Sequence, residues 1–173
     1  SDAALWRQKA ETLARRMLED FWDEESGRFH FLRDEQPIPV RTPFHLLPLW
    51  TGSLPPRVTG RLLEHFVNPR EFFGETALPT VARDDPAYDP DTMWRGPAWA
   101  NVNYFFIEAL RRIGRNDLAR QLRDKTLNMI MSQPSIYEYY NSETGQPGAR
   151  AVPAFGWSAA VFIDLAIQAS AES

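Results

Sequence analysis

A chain of 173 residues, 43% hydrophobic and 24% charged, has the balance of a folded globular domain that can bury one core and is short for two. Its net charge of −4, from 23 acidic against 19 basic residues, excludes the basic footprint of a nucleic-acid or anionic-membrane binder. The lack of cysteine excludes disulfides, iron–sulfur clusters and a thiol nucleophile while leaving the compartment open, and no run reaches the roughly 18 apolar residues of a membrane span.

In chain order, Trp6, Ala10, Leu13, Met17 and Phe21 recur every three or four residues, which predicts a core-facing helix over 3–22 and argues against a signal peptide. A turn at Ser26-Gly27, a short extended piece Arg28 to Leu32 and a proline-bounded loop follow, compatible with a minor hairpin. Thr42-Pro43 places a capping residue before a proline at the first helical position, so a short helix is expected over Phe44 to Trp50. Val58, Leu62, Leu63 and Phe66 form the stripe of the next helix, 55–67.

Residues 68–97 carry five prolines and form the longest irregular stretch, a length that in a compact domain signals function or disorder, and its aromatics argue against disorder. Trp99, Val102, Phe106, Ala109, Leu110 and Ile113 then predict a helix over 98–113 ended by Gly114. Asn116 is the expected N-cap of a helix to about Ser132, which makes the pair a helical hairpin. The arginines around it, Arg111 to Arg123, alternate with acids and are expected to form a solvated face rather than an anion patch. A second loop, 133–153, leads to a last helix, 154–170, with Trp157, Val161, Leu165 and Gln168 on one stripe. About six helices without a convincing sheet make the class all-α, with sites carried on loops at one rim.

The chemistry is sparse. His30, His45 and His65 are scattered, with neither an HExxH spacing nor a glycine-rich phosphate loop, so no metal or cofactor is expected; His45 is taken as a satisfied, partly buried histidine. The second loop sets one carboxylate, Glu138, among Tyr137, Tyr139 and Tyr140, surroundings that can raise a carboxylate pKa and hold it where a proton moves; the alternative is an exposed glutamate beside packing tyrosines. The first loop ends in Asp91, Trp94, Arg95 and Trp99 at a helix entrance, suited either to stacking on a sugar face with hydrogen bonds to hydroxyls or to a Trp–Arg stack with Asp91 as a structural partner.

The runs DDPAYDPDTMWRGPAWANVNYFFIEALRRIG, EYYNSETGQPG and FGWSAAVFIDL, in that order, resemble the C-terminal part of glycoside hydrolase family 63, the processing α-glucosidases and the mannosylglycerate and glucosylglycerate hydrolases. They are more distantly similar to trehalases. The matched run covers roughly 76–166, and weaker similarity through RTPFHLLPLWTG extends to the start. The resemblance implies an (α/α)6 barrel of helical hairpins, with 1–173 forming its C-terminal half as a single partial domain. It also implies an inverting mechanism in which one carboxylic acid protonates the leaving oxygen and a carboxylate roughly 6.5–9.5 Å away activates water. Glu138 matches the family's base, Trp94, Arg95 and Trp99 match its WRGPxW motif, and Trp157 matches the aromatic that walls the glycone pocket. The family's acid, an aspartate in a GWDNS-like motif, has no counterpart in 1–173, and Asp23, which starts a turn, is a poor substitute.

The expectation is therefore the base-bearing part of an inverting α-glucosidase or α-mannosidase: catalytic Glu138, sugar contacts from Asp91, Trp94, Arg95, Trp99, Tyr139 and Trp157, and the acid upstream. A carbohydrate is the expected partner, together with the N-terminal half of the barrel or a second copy, and the chain alone is expected to be inactive. A soluble chain, with the cytoplasm slightly favoured, goes with this. The alternative is a non-catalytic helical module that binds sugar or a partner chain; an epimerase is disfavoured because such enzymes use histidine acid–base pairs.

Overall fold

The computed structural model describes residues 2–172. Five α-helices, α1 (Asp2–Phe21), α2 (Pro56–Val67), α3 (Ala100–Arg112), α4 (Asn116–Met131) and α5 (Gly156–Ala171), are joined by a 3-10 helix (Pro43–Thr51) and long loops. Two small antiparallel hairpins follow α1: β1 (Trp22–Asp23) with β2 (Arg28–Phe29), and β3 (Leu32–Arg33) with β4 (Gln36–Pro37). In the first, both Asp23 carboxylate oxygens accept turn N–H groups, from Glu25 and Ser26, and Gly27 takes the left-handed φ of 69° that closes it.

The expected helix after Thr42 is a 3-10 helix. Pro48 sits inside it, and a proline both lacks the N–H and crowds the carbonyl four residues back, so an α-helical ladder is broken there. Thr42 occupies the capping position without making the capping bond, and Gly52, at φ 66°, ends the segment. The stripe of α2 buries Val58, Leu62 and Phe66.

α3 is the central element, packed on α4, α5 and the 3-10 helix, and it is buried around most of its circumference rather than along one stripe. Leu49, Leu62, Phe66, Phe106, Leu110 and Leu122 make the heart of the core. Asn103, fully buried in α3, clamps the first loop: its Oδ1 accepts the Leu78 N–H at 2.8 Å, and its Nδ2 donates to the carbonyls of Trp99 at 2.9 Å and Leu78 at 3.3 Å. The loop over 68–97 is held from its own side as well. Arg83 donates to the Phe72 carbonyl at 2.8 Å, and the nearly buried Asp85 accepts from the Arg41 backbone at 2.9 Å and the Ala87 backbone at 2.8 Å.

Three expectations are corrected. α1 is helical over the expected span, yet none of its residues is fully buried, and Leu5, Trp6 and Leu13 stay at least half exposed. Periodicity shows that a face is built for burial without naming what buries it. Arg123 is not on a solvated face: it is buried, pairing with Asp124 at 3.0 Å and Glu172 at 2.6 Å, while Arg111 reaches the same Glu172 and Gln168. Asn116 starts α4 rather than capping it; the capping position is Arg115, whose guanidinium grips Asp117 at 2.9 and 3.0 Å.

Candidate active site

Loop 133–153 and the end of loop 68–97 are tied into one platform by an exchange of backbone hydrogen bonds: Ala98 N–H to the Tyr140 carbonyl at 2.8 Å and Tyr140 N–H to the Ala98 carbonyl at 2.9 Å. The Trp94–Trp99 segment reaches that platform through a tight kink. Gly96 donates to Thr80 Oγ1 at 3.1 Å, and a Cβ at Gly96 would stand 2.4 Å from the Asp89 carbonyl oxygen, so only glycine fits. Trp94 itself takes a left-handed φ of 59°, a conformation that costs a side-chain-bearing residue about 1 kcal/mol or more.

The strain sets Trp94 flat on Trp99, with ring centroids 4.0 Å apart and planes 14° from parallel. The stack continues to Tyr139 at 5.3 Å and 21°, and Trp157 meets Trp99 edge-on at 6.3 Å. Trp99 and Tyr139 are buried, whereas Trp94 and Trp157 are 43% and 48% exposed, so the stack is a wall with a buried inner layer and an open outer one. The Trp99 indole N–H is buried and has no acceptor among the described residues. Burial, more than the neighbouring charges, raises the Tyr139 phenol pKa, which keeps it neutral.

Glu138 sits between Tyr137 and Tyr139, half-buried. Its backbone is gripped on both sides, the N–H donating to the Val152 carbonyl at 3.0 Å and the carbonyl accepting from Ser158 Oγ at 3.3 Å on the first turn of α5. Its carboxylate accepts no hydrogen bond among the described residues. A carboxylate whose oxygens accept nothing from the described residues keeps its lone pairs open to solvent or to a ligand.

The remaining expected residues divide. Asp91 accepts the Ala149 N–H at 3.0 Å, which binds the two loops together, so at least one of its oxygens has a structural role. Arg95 is exposed, anchored by its backbone to Thr92 and Asp89, and its guanidinium has no hydrogen-bond partner among the described residues. The contemplated Trp–Arg stack is replaced by the Trp94–Trp99 stack. Sequence reasoning missed Ser158, Thr80 and Asn103, the residues that fix this platform, because small polar residues at single positions leave no periodic signal.

A hollow of about 380 Å³ lies elsewhere, lined by Met17, Phe29, Phe31, Phe44 and Pro48 among others. Its lining holds no carboxylate.

The sequence profile of the mannosylglycerate hydrolase MGH1-like glycoside hydrolase domain matches residues 1–158. The chain belongs to glycoside hydrolase family 63. It is 38% identical over 150 residues to a mannosylglycerate hydrolase of Thermus thermophilus, covering 83% of this chain and 34% of that protein. A mannosylglycerate hydrolase of Rubrobacter radiotolerans is 26% identical over 173 residues, 96% of this chain and 38% of its own length. The crystal structure of the family 63 mannosylglycerate hydrolase of Thermus thermophilus in complex with Tris and D-glycerate superposes with a TM-score of 0.75 at 31% identity, over 84% of this chain and 35% of that one. Neutral trehalase Nth1 of Saccharomyces cerevisiae, at 18% identity and a TM-score of 0.70, shows the fold alone. The helical hairpins are thus a portion of an (α/α)6 barrel. The chain spans about a third of the length of these family 63 relatives.

Proposed function

We propose that this chain carries the general base and one wall of the sugar site of an inverting α-glycoside hydrolase acting on a glycosylated glycerate, a mannoside or a glucoside. The observation that carries the proposal is the Glu138 carboxylate, without a hydrogen bond among the described residues, on a backbone held at both its N–H and its carbonyl and next in the chain to Tyr139 of the Trp94–Trp99–Tyr139 stack. The mannosylglycerate hydrolase names of the relatives support the substrate class.

In this reading the glycone stacks on the open faces of Trp94 and Trp157, Arg95 donates to its hydroxyls, and Asp91 keeps the two loops in register while its free oxygen faces the sugar. Glu138 takes a proton from a water as the water oxygen attacks the anomeric carbon, on the face opposite the departing oxygen. That oxygen takes its proton from a carboxylic acid roughly 6.5–9.5 Å away on another part of the barrel. With the acid outside 1–173, the isolated chain binds sugar at most and does not hydrolyse it. The uncovered apolar residues Leu5, Trp6 and Leu13 of α1 and Ile163 and Ile167 of α5 are then surfaces for the rest of the barrel, or for a second copy when it is absent.

The test is a chimera in which this chain replaces the corresponding third of the Thermus thermophilus enzyme. Glu138→Gln in that chimera is expected to lower kcat by about 10²–10⁴-fold with KM little changed, the usual worth of a general base, and the unsubstituted chimera should release the sugar with inverted anomeric configuration. Turnover of Glu138→Gln within threefold of the unsubstituted chimera would remove Glu138 from the chemistry.

A further inference from the structure

Apolar residues surround the last helix, α5: at about 100° per residue, Val161, Phe162, Ile163, Leu165 and Ile167 point in different directions from its axis. The helix buries Ser158 and Leu165 and packs Val161, Phe162 and Ala169 on the core, while Ile163 and Ile167 are 58% and 62% exposed. That exposed pair lies roughly half a turn around the axis from Leu165. Hydrophobic burial is non-directional, so it does not choose between these two sides. Polar groups can make the choice, because a misplaced one loses its partner.

Asp164, Gln168 and Glu172, spaced by four, form one polar stripe that ends just past the helix. Arg111 of α3 donates to Gln168 Oε1 at 2.6 Å, and Gln168 Nε2 donates to Asp164 at 2.7 Å. Glu172 accepts from Arg111 at 3.5 Å and from the buried Arg123 of α4 at 2.6 Å. Both arginines are also held from their own helices, Arg111 by Glu108 at 2.7 Å and Arg123 by Asp124 at 3.0 Å, so their positions do not depend on α5. Seven residues before Asp164 and eleven before Gln168, Trp157 falls within about 20° of each around the axis. The stripe and Trp157 therefore share a face of α5, and what orients one orients the other.

We propose that Gln168 and Glu172 are positioning residues for the sugar wall: by meeting Arg111 and Arg123 they fix which side of α5 turns inward, and so set Trp157 against Trp99 and Ser158 against the Glu138 carbonyl. With α5 turned the other way, Ile163 and Ile167 are buried in place of Leu165, Arg123 loses Glu172, and Trp157 swings off Trp99. The stripe also keeps Ile163 and Ile167 outward, where the rest of the barrel can cover them. The sugar-site consequence rests on the proposed function, whereas the orientation of α5 does not.

The experiment reads the tryptophan indole N–H signals of the ¹⁵N-labelled chain, with Trp157 assigned through Trp157→Phe and Trp22, on β1, as the reference. The unsubstituted chain is expected to give one Trp157 signal with a nuclear Overhauser contact to Trp99. Gln168→Leu/Glu172→Gln removes the Arg111 acceptor and the charge at Arg123 while leaving an amide oxygen there. It should add a second Trp157 signal of about 10% intensity or more, a minor state without the Trp99 contact, and leave Trp22 unchanged. Gln168→Glu, which retains the acceptor for Arg111, should keep the single signal. Should the double variant not fold, Gln168→Leu decides alone and is expected to show the second signal. A single Trp157 signal at its original shift in the folded variant, a second signal of equal size in Gln168→Glu, or doubling of Trp22 as well overturns the proposal. None of these outcomes bears on Glu138, whose test is turnover of the chimera.

Discussion

Adding one methyl group at two glycines should move stability in opposite directions. At Gly148 an added Cβ would lie 2.1 Å from Cε2 and 2.5 Å from Cδ2 of Tyr139. An ordinary carbon–carbon contact is about 3.5–4.0 Å, so the ring has to retreat by more than about 1 Å. Tyr139 is 1% exposed and stacked on Trp99, so neither ring has space to yield, and Gly148→Ala should cost about 3 kcal/mol as overpacking. For a chain of this size that lowers Tm by about 6–12 °C. At Gly60, exposed within α2, nothing lies within 4 Å of the added Cβ, and Gly60→Ala should gain about 1 kcal/mol of helix propensity and raise Tm by about 2–4 °C. Thermal unfolding followed by circular dichroism reads both. A Gly148→Ala protein melting within 1 °C of wild type, or two shifts of the same sign, would show that the loop does not rest on Tyr139 as described.

His45 should make stability depend on mildly acidic pH. Its pKa is lowered by burial to about 4 in the folded chain from about 6.5 when unfolded, so the unfolded state binds the extra proton first. Stability is fully present above about pH 6.5 and falls by about 3 kcal/mol as pH drops toward 4, and a melting series over that window should lose this slope in His45→Phe. Asn103→Ala removes the clamp on loop 68–97 and strands the Leu78 N–H and carbonyl. It is expected to cost about 2–4 kcal/mol, and hydrogen exchange at Leu78 should accelerate to match; an unaltered Leu78 rate would refute the clamp.

The residue order alone carried a good deal. The stripes of α2 and α3, the αα-hairpin, and the three motifs around Trp94, Glu138 and Trp157 were legible because periodicity and fixed spacing are local properties. The short segment from Pro43 was misjudged: its apolar run looks helical, and the effect of Pro48 on the hydrogen-bond ladder made it a 3-10 helix. For α1 the period was right and its consequence wrong, since a stripe at Trp6 and Leu13 is defined by the chain but its burial needs a neighbour.

What only the tertiary structure decided is pairing across distance. The Ala98–Tyr140 exchange joins two loops that lie about forty residues apart, and with the Asp91–Ala149 bond it brings the Trp94–Trp99 stack onto Tyr139, the chain neighbour of Glu138. The pairing of Arg123 depends on Glu172 arriving at the end of α5, and the ring of His45 is covered by Phe31, which comes from the hairpin before it. Composition and charge excluded whole classes of function from 173 residues, and motif order named a family. Which side chains stay free to do chemistry was settled by the hydrogen bonds the fold had already used, and those depend on partners far away in the sequence.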